Sequence, residues 1–313
     1  MLMDRLITDI KSKKSPIVVG LDPVLENLPE AVRQQAEKAH ERFEEAAAAA
    51  ILDFNRQLID AVQDLVPAVK PQVAFYEQYG PAGMAAYRDT CLYAAARGLT
   101  VIGDIKRGDI GSTSKAYANA HLGGVPAWAG TYSGFPTDII TVNPYLGDDC
   151  LKEFMGDVKA HDKGLFVLVK TSNPTSAQLQ NLLSEGRPIY EHVALMVNRW
   201  TEETVGQSGY SPVGAVVGAT YPAEAQRLRA LMPRAFFLVP GYGAQGGGGQ
   251  DVVPCFNTDG LGALVNSSRG IIFAWQQPGG QGLPWQQASR EAVLAMRQDI
   301  NGALEAAGKK YWR

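Results

Sequence analysis

The sequence predicts a single α/β domain that folds as a closed (β/α)8 barrel, the TIM-barrel architecture. Short β-branched apolar runs recur along the chain, and longer stretches with helical periodicity separate them. This alternation favours a parallel sheet covered by helices, and its eight repeats favour a closed barrel over an open sheet. No Ser/Pro-rich linker or block of charge divides the 313 residues, a length that one barrel commonly reaches. We therefore expect one domain over residues 1–313.

Predicted strands and helices alternate along the whole chain. The strands are apolar runs at 17–21, 66–70, 99–105, 138–142, 164–169, 213–217, 235–239 and 262–265, with 270–273 as the alternative place for the last. The helices are expected at 41–65, 83–97, 112–122, 148–159, 189–204, 222–231 and 285–306. Insertions at 24–40 and 171–188 follow the first and fifth strands, and the glycine-rich stretch 241–250 follows the seventh. Because loops at the carboxyl ends of barrel strands form active sites, these three segments are candidates for its walls.

Charge and hydropathy exclude several classes of function. Lys plus Arg total 29 and Asp plus Glu total 32, so the net charge of −3 gives no electrostatic footprint for nucleic acid or anionic lipid. The longest apolar stretches are shorter than the ~18 residues that a membrane-spanning helix needs. The N-terminus has an acidic residue, Asp4, and no apolar core before a cleavage site, so no signal peptide is predicted. We expect a cytoplasmic protein that binds neither nucleic acid nor membranes.

The cysteines and histidines form no metal or redox motif in the sequence. Cys91, Cys150 and Cys255 are far apart, which fits reduced structural thiols. The 4 histidines show no HxH or HxxxH spacing and have no cysteine at a zinc-finger interval, so surface or packing roles are expected. No metal is predicted, and Asp, Lys and Arg must carry any chemistry.

The densest group of ionisable residues lies in segment 103–110, GDIKRGDI. Residues two apart in an extended strand share a face, so Asp104 and Lys106 should project together from the carboxyl end of the third strand, with Asp109 after a glycine turn. The group could be a solvated, salt-bridged turn. It could instead be a catalytic array, because an ammonium between carboxylates stays protonated and positioned for proton donation.

Two other predicted strands end on a charged residue followed by proline. Asp22 closes the first strand and Lys70 the second, so both should face the mouth of the barrel. Each signal is weak by itself. Together with Asp104 and Lys106, the two residues place alternating charges around one rim, and such an array is costly to assemble unless a substrate uses it.

Segment 240–247, PGYGAQGG, follows the seventh strand and contains a GxGxxG pattern. A dinucleotide-binding fingerprint should open the first βα unit of a domain, whereas this pattern lies in the last quarter of the chain, so that interpretation is disfavoured. Glycines between the seventh and eighth strands of a barrel more commonly bind phosphate, and Arg269 with the backbone N–H groups of segment 266–270 would complete such a site. A flexible glycine loop is the remaining alternative.

Segment 168–174, LVKTSNP, carries the fifth strand into polar residues. Ser172 and its backbone are candidates for contacts to the edge of a heterocycle. A plain turn is an equally good interpretation of the same residues, and segment 143–145 after the fourth strand has the same character.

These segments, in this order, resemble the orotidine 5′-phosphate decarboxylase family, from Val18 to about Ala274. The segment 104–110 matches the family pattern DxKxxDI, and the segment 240–247 matches its PGxGAQGG loop. The length, the insertion at 24–40 and the segment 170–174 are similar to the longer bacterial subgroup. The resemblance implies decarboxylation of orotidine 5′-phosphate to uridine 5′-phosphate without a cofactor, the last step of de novo UMP biosynthesis. Two departures are Ser268, where a glycine commonly precedes the phosphate-binding arginine, and an insertion at 186–212.

The resemblance also implies a role for each matching residue. Lys70, Asp104, Lys106 and Asp109 would form a charged catalytic tetrad, in which Lys106 stabilises and protonates a carbanion at C6 of the base. Asp109, Ile110 and Thr113 would reach into the site of a second subunit, which implies a homodimer. The implied substrate contacts are Asp22 to the ribose, Ser172 to the pyrimidine, Gln245 and Arg269 to the phosphate, and Pro240, Gly247 and Ser268 as further binding residues.

Two rival hypotheses remain at this stage. A phosphate-binding barrel could be a Schiff-base aldolase that uses Lys106 or Lys170, or it could be a non-catalytic sensor of sugar phosphates. The terminal segment 309–313 is expected to be disordered, as chain ends generally are unless they are tied down.

Overall fold

The computed structural model describes residues 1–243 and 247–312. Within those ranges, eight parallel strands close into one barrel, in which each strand pairs with its neighbours in chain order and the last pairs with the first. The strands are β1 (Ile17–Leu21), β2 (Ala68–Pro71), β3 (Thr100–Arg107), β4 (Ile139–Val142), β5 (Gly164–Lys170), β6 (Ser211–Val217), β7 (Ala235–Val239) and β8 (Ala263–Ser267). The predicted (β/α)8 barrel is confirmed.

Helices cover the outside of the barrel. They are α1 (Leu2–Lys13), α2 (Glu30–Ala39), α3 (Phe43–Val62), α4 (Ala74–Glu77), α5 (Gly80–Ala96), α6 (Gly111–His121), α7 (Asp149–His161), α8 (Ala177–Gln180), α9 (Ile189–Glu202), α10 (Pro222–Leu231), α11 (Gly249–Val252), α12 (Arg269–Ile272) and α13 (Trp285–Ala306). Single 3-10 turns occur at Leu25–Asn27, Pro174–Ser176, Val253–Cys255 and Ala274–Gln276. Two short antiparallel hairpins pair Val125–Pro126 with Thr131–Tyr132, and Leu183–Ser184 with Arg187–Pro188.

The barrel strands are buried on both faces, as expected of a parallel sheet that has helices outside and packed side chains within. Helices that lie against the barrel are amphipathic. In α3, for example, Ile51, Phe54 and Leu58 recur at helical spacing and are buried. Their pattern is local in sequence, which is why the predicted strands and helices agree with the observed ones to within a few residues.

The alternative placement of the last strand at 270–273 is wrong. The segment Arg269–Ile272 is helical, and β8 occupies the position between β7 and β1, with Ile17 of β1 paired to Val265. One strand fills that position completely. The apolar residues that follow, Ile271 and Ile272, therefore belong to a helix and pack into the core from it. Their composition alone did not distinguish the two arrangements.

Helix α1 and the end of the chain were not predicted as ordered elements. In α1, Leu2, Leu6 and Ile10 form one buried face. The expectation of a disordered tail is wrong for residues 309–312, because the Lys309 ammonium donates to the carbonyls of Val253 and Phe256 and Tyr311 is only 6% exposed. The remaining residue of that prediction, Arg313, lies outside the described residues.

His121 ends α6 in a buried aromatic cluster. Its ring stacks on Phe135 at 4.9 Å between centroids and meets Tyr87 edge-on at 6.4 Å. Burial, assisted by the nearby positive charge of Arg107, lowers the pKa of His121 to about 4. The imidazole is therefore neutral in the folded protein at pH 7.

The low pKa of His121 predicts a loss of stability in mild acid. The unfolded chain binds a proton near pH 6.5, whereas the folded chain does so only near pH 4, so the free energy of unfolding should fall as the pH drops between these values. At about 1.4 kcal/mol per unit, the loss attributable to this residue is roughly 3 kcal/mol. The His121→Gln variant should show a flatter pH dependence in urea unfolding, and His40→Gln, at an exposed position, should behave as the wild type. Equal slopes for all three proteins would contradict the assignment.

Candidate active site

A cavity of about 470 Å³ opens at the carboxyl ends of the barrel strands, and each of the eight strands contributes at least one residue at or near its end. The volume is in the range of small-molecule sites. Its charged half is formed by Asp22, Lys70, Asp104 and Lys106 from β1 to β3 and the residues that follow them. The opposite half is formed by β5 to β8 and includes Ser172, Pro240, Ser268 and Arg269.

Asp104 of β3 lies at the centre of the charged half. Its Oδ2 accepts hydrogen bonds from Lys70 Nζ at 2.8 Å and Gln72 Nε2 at 2.9 Å. Its Oδ1 accepts from Lys106 Nζ at 2.6 Å and from the Thr141 hydroxyl at 2.9 Å. Each oxygen thus receives one ammonium and one neutral donor, which fixes the plane of the carboxylate.

Electrostatic attraction outweighs burial in this cluster. Burial would raise the pKa of Asp104, but the positive charges and hydrogen bonds of Lys70 and Lys106 hold it well below its usual value. Burial would lower the pKa of Lys70, whose side chain is 6% exposed, but Asp104 and Asp22 raise it above its usual value. Both groups are therefore charged at neutral pH.

The backbone at the end of β3 turns the Lys106 side chain towards Asp104. Lys106 has a left-handed conformation with φ of 47°, and the register between β3 and β4 shifts between Gly103 and Arg107. The backbone N–H of Lys106 donates to the Thr141 hydroxyl at 3.0 Å. The predicted convergence of Asp104 and Lys106 is confirmed, but it depends on this turn as well as on strand alternation.

Asp22 extends the row of charges from β1. One of its carboxylate oxygens, Oδ1, lies 3.9 Å from Lys70 Nζ. The same oxygen is buried and accepts no hydrogen bond from the described residues. The Asp22 side chain as a whole is 23% exposed and lines the cavity, so its carboxylate can accept from a hydroxyl donor there.

Asp109, Ile110 and Thr113 are not among the residues that line the cavity. The Asp109 carboxylate accepts a hydrogen bond from the backbone N–H of Ile110 at 2.8 Å. Ile110 is 57% exposed, and Thr113 is exposed in the first turn of α6. Within a single chain, the structure brings together three members of the predicted tetrad, Lys70, Asp104 and Lys106, and leaves the half-buried Asp109 outside the cavity lining.

The predicted phosphate-binding residues are partly in the cavity. Pro240, Ser268 and Arg269 line it, and Arg269 begins the short helix α12. Gly247 lies at the base of the glycine-rich segment, where its carbonyl accepts from the backbone N–H of Gly243 at 2.8 Å. The predicted residue Gln245 lies outside the described residues.

Ser268 packs closely against the end of β1. A Cβ placed on Gly20 would lie 1.9 Å from Ser268 Oγ, so this position of β1 requires glycine. The serine side chain is thus accommodated next to the arginine by a glycine on the neighbouring strand. Asn266, which lines the same side of the cavity, donates to Ser268 Oγ at 3.4 Å.

The segment after β5 brings Ser172 into the cavity, with Thr171 and Asn173 on either side. Lys170 points elsewhere: it is fully buried, and its ammonium donates to Asn181 Oδ1 at 2.6 Å and lies 4.6 Å from the ring centroid of Tyr221. It is absent from the cavity lining. Lys170 therefore acts as an anchor for the insertion at 171–188 and has no access to a ligand in the cavity.

Sequence reasoning missed several polar residues of the site. Gln72 and Thr141 bind the Asp104 carboxylate, and Asn266 lines the cavity. Asp299 of α13 accepts from the Tyr242 hydroxyl and the Gly249 backbone N–H, each at 2.7 Å, and so fixes both flanks of the glycine-rich segment. Gln72 lies two residues after Lys70, so strand alternation places both side chains on the same face. The other contacts have no local signal in the sequence.

The described residues contain neither a metal-binding cluster nor a membrane-spanning helix. No group of three or more His, Cys, Asp or Glu residues is arranged to hold a metal ion in this part of the chain. None of its helices combines the length and the apolar character needed to cross a membrane.

Comparison with known proteins identifies the family. The model of the Orotidine 5′-phosphate decarboxylase / HUMPS family matches residues 15–278. The chain is 45% identical over 288 residues to the orotidine 5′-phosphate decarboxylase of Rhodopirellula baltica, with 91% of this chain and 93% of the relative covered. The chain belongs to this family.

Other relatives agree with this assignment over almost the full length. The orotidine 5′-phosphate decarboxylase of Caldicellulosiruptor bescii is 41% identical over 301 residues, which cover 96% of this chain and 98% of the relative. The solved structure of Leishmania donovani OMP decarboxylase superposes with a TM-score of 0.67 at 31% identity, covering 94% of this chain and 98% of that one. The resemblance drawn from the segments 104–110 and 240–247 is confirmed.

The buried cluster predicts that Asp104 stabilises the fold. In Asp104→Ala, the Lys70 ammonium would remain buried without its nearest carboxylate, which typically costs about 3–5 kcal/mol. The double variant Asp104→Leu with Lys70→Met should recover most of that loss in urea unfolding at pH 7. As a control, Glu305→Ala removes an exposed ion pair with Lys310 and should cost less than about 1 kcal/mol. An Asp104→Ala variant as stable as the wild type would contradict this account.

Proposed function

We propose that the chain decarboxylates orotidine 5′-phosphate to uridine 5′-phosphate, with Lys106 as the catalytic acid. The observation that carries this proposal is the row of charges in which Lys106 Nζ lies 2.6 Å from Asp104 Oδ1 at the mouth of the barrel. The family assignment supplies the substrate, and the charged row supports the chemistry.

The reaction needs electrostatic stabilisation of a carbanion more than it needs a group that bonds covalently to the substrate. When the bond from C6 to the carboxylate breaks, carbon dioxide leaves and the electron pair stays on C6 in an sp² orbital that no carbonyl is placed to delocalise. An ammonium fixed next to C6 stabilises the developing negative charge and then transfers its proton to C6. Lys106 can perform both steps without a cofactor.

Asp104 supports Lys106 in this mechanism. Its carboxylate attracts the Lys106 ammonium, and the hydrogen bond between them fixes the position of the ammonium before the substrate binds. Its negative charge would also repel the substrate carboxylate. Ground-state destabilisation of that kind is a contested explanation, and we rank it second to preorganised stabilisation of the carbanion.

The other cavity residues are assigned to binding. Asp22, whose side chain lines the cavity and is 23% exposed, would accept hydrogen bonds from the ribose hydroxyls. Ser172 would contact the pyrimidine, and Arg269 would bind the phosphate at the far end of the cavity. Gln245, Pro240, Gly247 and Ser268 are proposed as further contacts on that side. Because the phosphate is remote from C6, its binding energy can assist the chemistry only through a conformational change that it favours.

We also propose that two chains complete each other's sites. The Lys106 side chain is 46% exposed in one chain, and around the start of α6 Asp109 is half-buried while Ile110 and Thr113 are exposed. The corresponding residues of a second subunit would cover Lys106 and add the fourth charged group of the tetrad. A homodimer follows from this proposal.

The organisation and location of the chain are part of the same proposal. We assign residues 1–313 to one domain, since α1 near the start and Tyr311 near the end both contribute to one hydrophobic core. A cytoplasmic location is supported by the three cysteines, which are unpaired and buried, as in a reducing compartment. The net charge of −3 favours a small-molecule substrate over nucleic acid.

The rival Schiff-base aldolase is less well supported. Lys170 does not line the cavity, and the Lys106 nitrogen is held by the Asp104 carboxylate at 2.6 Å, whereas a Schiff-base lysine needs its nitrogen free to attack a carbonyl. Borohydride trapping of a covalent adduct with a carbonyl substrate would favour the aldolase. A sugar-phosphate sensor would bind ligand without turnover.

The proposed activity predicts that orotate absorbance disappears when the protein is mixed with orotidine 5′-phosphate, with release of carbon dioxide. Lys106→Ala should lower kcat by at least about a thousandfold, because both charge stabilisation and the proton donor are lost. Binding of uridine 5′-phosphate should be retained. The control Lys38→Ala, at an exposed site on α2, should leave kcat unchanged. A near-normal kcat in Lys106→Ala would refute the role of this lysine.

The shared site predicts complementation between two inactive variants. A heterodimer of Lys106→Ala and Asp109→Ala chains contains one site with both residues intact and one with neither. After equal amounts are mixed and allowed to exchange subunits, about a quarter of wild-type activity should return. Each variant alone should stay inactive. If mass spectrometry shows heterodimers but no activity returns, the sites are self-contained.

A further inference from the structure

Thr141 occupies a position between the two principal groups of the charged row. It lies on β4, is 1% exposed as a residue and lines the cavity next to Asp104 and Lys106. Its hydroxyl is 2.9 Å from Asp104 Oδ1 and 3.0 Å from the backbone nitrogen of Lys106. The hydroxyl oxygen therefore links the carboxylate to the residue that carries the ammonium.

The direction of these two hydrogen bonds follows from the chemistry of the groups. A backbone N–H can only donate, so the hydroxyl oxygen must accept from Lys106. An ionised carboxylate can only accept, so the single hydroxyl proton must point at Asp104. No other arrangement satisfies all three groups, and the hydroxyl rotor is consequently fixed.

The accepted bond holds a backbone that is unusual for a lysine. A φ of 47° lies in the left-handed region, which residues with a Cβ seldom adopt. The parallel register between β3 and β4 shifts at this point, between Gly103 and Arg107, and the N–H of Lys106 is bound by the threonine side chain. The hydroxyl thus stabilises the turn that directs Lys106 towards Asp104.

We propose that Thr141 is a positioning residue that holds the Asp104 carboxylate and the backbone of Lys106 in one fixed relation, so that the ammonium is correctly placed at the reacting carbon. This inference rests on the proposed decarboxylation. The inference gives β4, which contributes no charged residue to the row, a role in positioning the two charged residues of β3. Although Thr141 lines the cavity, its single hydroxyl proton is donated to Asp104 and is not available to the substrate, so the residue acts through its two neighbours.

A nearby buried threonine provides a matched control. Thr137 is also fully buried, and its hydroxyl donates to the carbonyl of His121 at 2.7 Å. It precedes β4 and is absent from the cavity lining. Thr137→Val therefore removes one buried hydrogen bond next to the same strand without touching the charged row.

The test compares kinetics and product binding for Thr141→Val, Thr141→Ser and Thr137→Val. A displacement of the reacting groups by about 1 Å can cost 100-fold, so kcat for orotidine 5′-phosphate should fall by roughly 10- to 100-fold in Thr141→Val. KM and the Kd for uridine 5′-phosphate should change by less than about threefold, since no substrate contact is removed. Thr141→Ser keeps the hydroxyl and should restore kcat to within about threefold of the wild type. Thr137→Val should lower stability in urea and leave kcat unchanged.

The outcomes separate this inference from the proposed function. A wild type that decarboxylates normally together with an unaffected Thr141→Val would overturn only the role of Thr141. A loss of kcat that Thr141→Ser fails to restore would also overturn it, because the hydroxyl would then not be responsible. A wild type without any turnover would overturn the proposed function and this inference with it. If Thr141→Val does not fold, Thr141→Ala serves as the second variant without a hydroxyl, and the same criteria apply.

Discussion

The arrangement of the site depends on one buried carboxylate that is neutralised from two sides. Removing Asp104 from water is unfavourable, and the cost is offset only because an ammonium and a neutral donor bind each of its oxygens. These donors come from different strands, Lys70 from β2, Lys106 from β3 and Thr141 from β4. The carboxylate can therefore be satisfied only when three adjacent strands are in register, which couples the chemistry directly to closure of the barrel.

The barrel divides its carboxyl-terminal face into two halves. The strands β1 to β4 contribute the ionic cluster, whereas β5 to β8 contribute mainly neutral side chains, backbone groups and Arg269. This separation places Arg269, the proposed phosphate-binding residue, in the half opposite Lys106, the proposed catalytic acid. Asp299 then connects the glycine-rich segment on the binding side to the last helix, through Tyr242 and Gly249. The proposed binding half and the proposed catalytic half thus have separate structural supports within one fold.

Local patterns were sufficient to predict the architecture and the charged row. Apolar runs and helical periodicity are properties of short segments, and a charged residue at the end of a parallel strand necessarily faces the same edge as its neighbours. That is why Asp22, Lys70, Asp104 and Lys106 could be placed together before their distances were known. The family motifs then gave these positions their chemical meaning.

The features that escaped prediction depend on contacts between distant segments. Nothing local distinguishes Thr141 from a packing residue, because its partners depend on the left-handed turn at Lys106 and on a register shift. Helix α1 and the tail that contains Tyr311 acquire their burial from surfaces that exist only in the completed barrel. The segment that pairs with β1 likewise determines that β8 ends in polar residues and that Ile271 lies in a helix.

The distribution of charge in the cavity also indicates how a second subunit would affect the proposed reaction. Within one chain, the two ammoniums of Lys70 and Lys106 face the two carboxylates of Asp22 and Asp104, so the cluster is formally neutral. In the proposed dimer, Asp109 of the other chain would add a negative charge where the substrate already brings a carboxylate. When the substrate loses neutral carbon dioxide, the negative charge of its carboxylate is transferred to C6, where the Lys106 ammonium would stabilise it. The same contact would cover the exposed part of the Lys106 side chain, and a less hydrated ammonium interacts more strongly with an anion at C6. Dimerisation would thus strengthen the interaction on which the proposed mechanism relies.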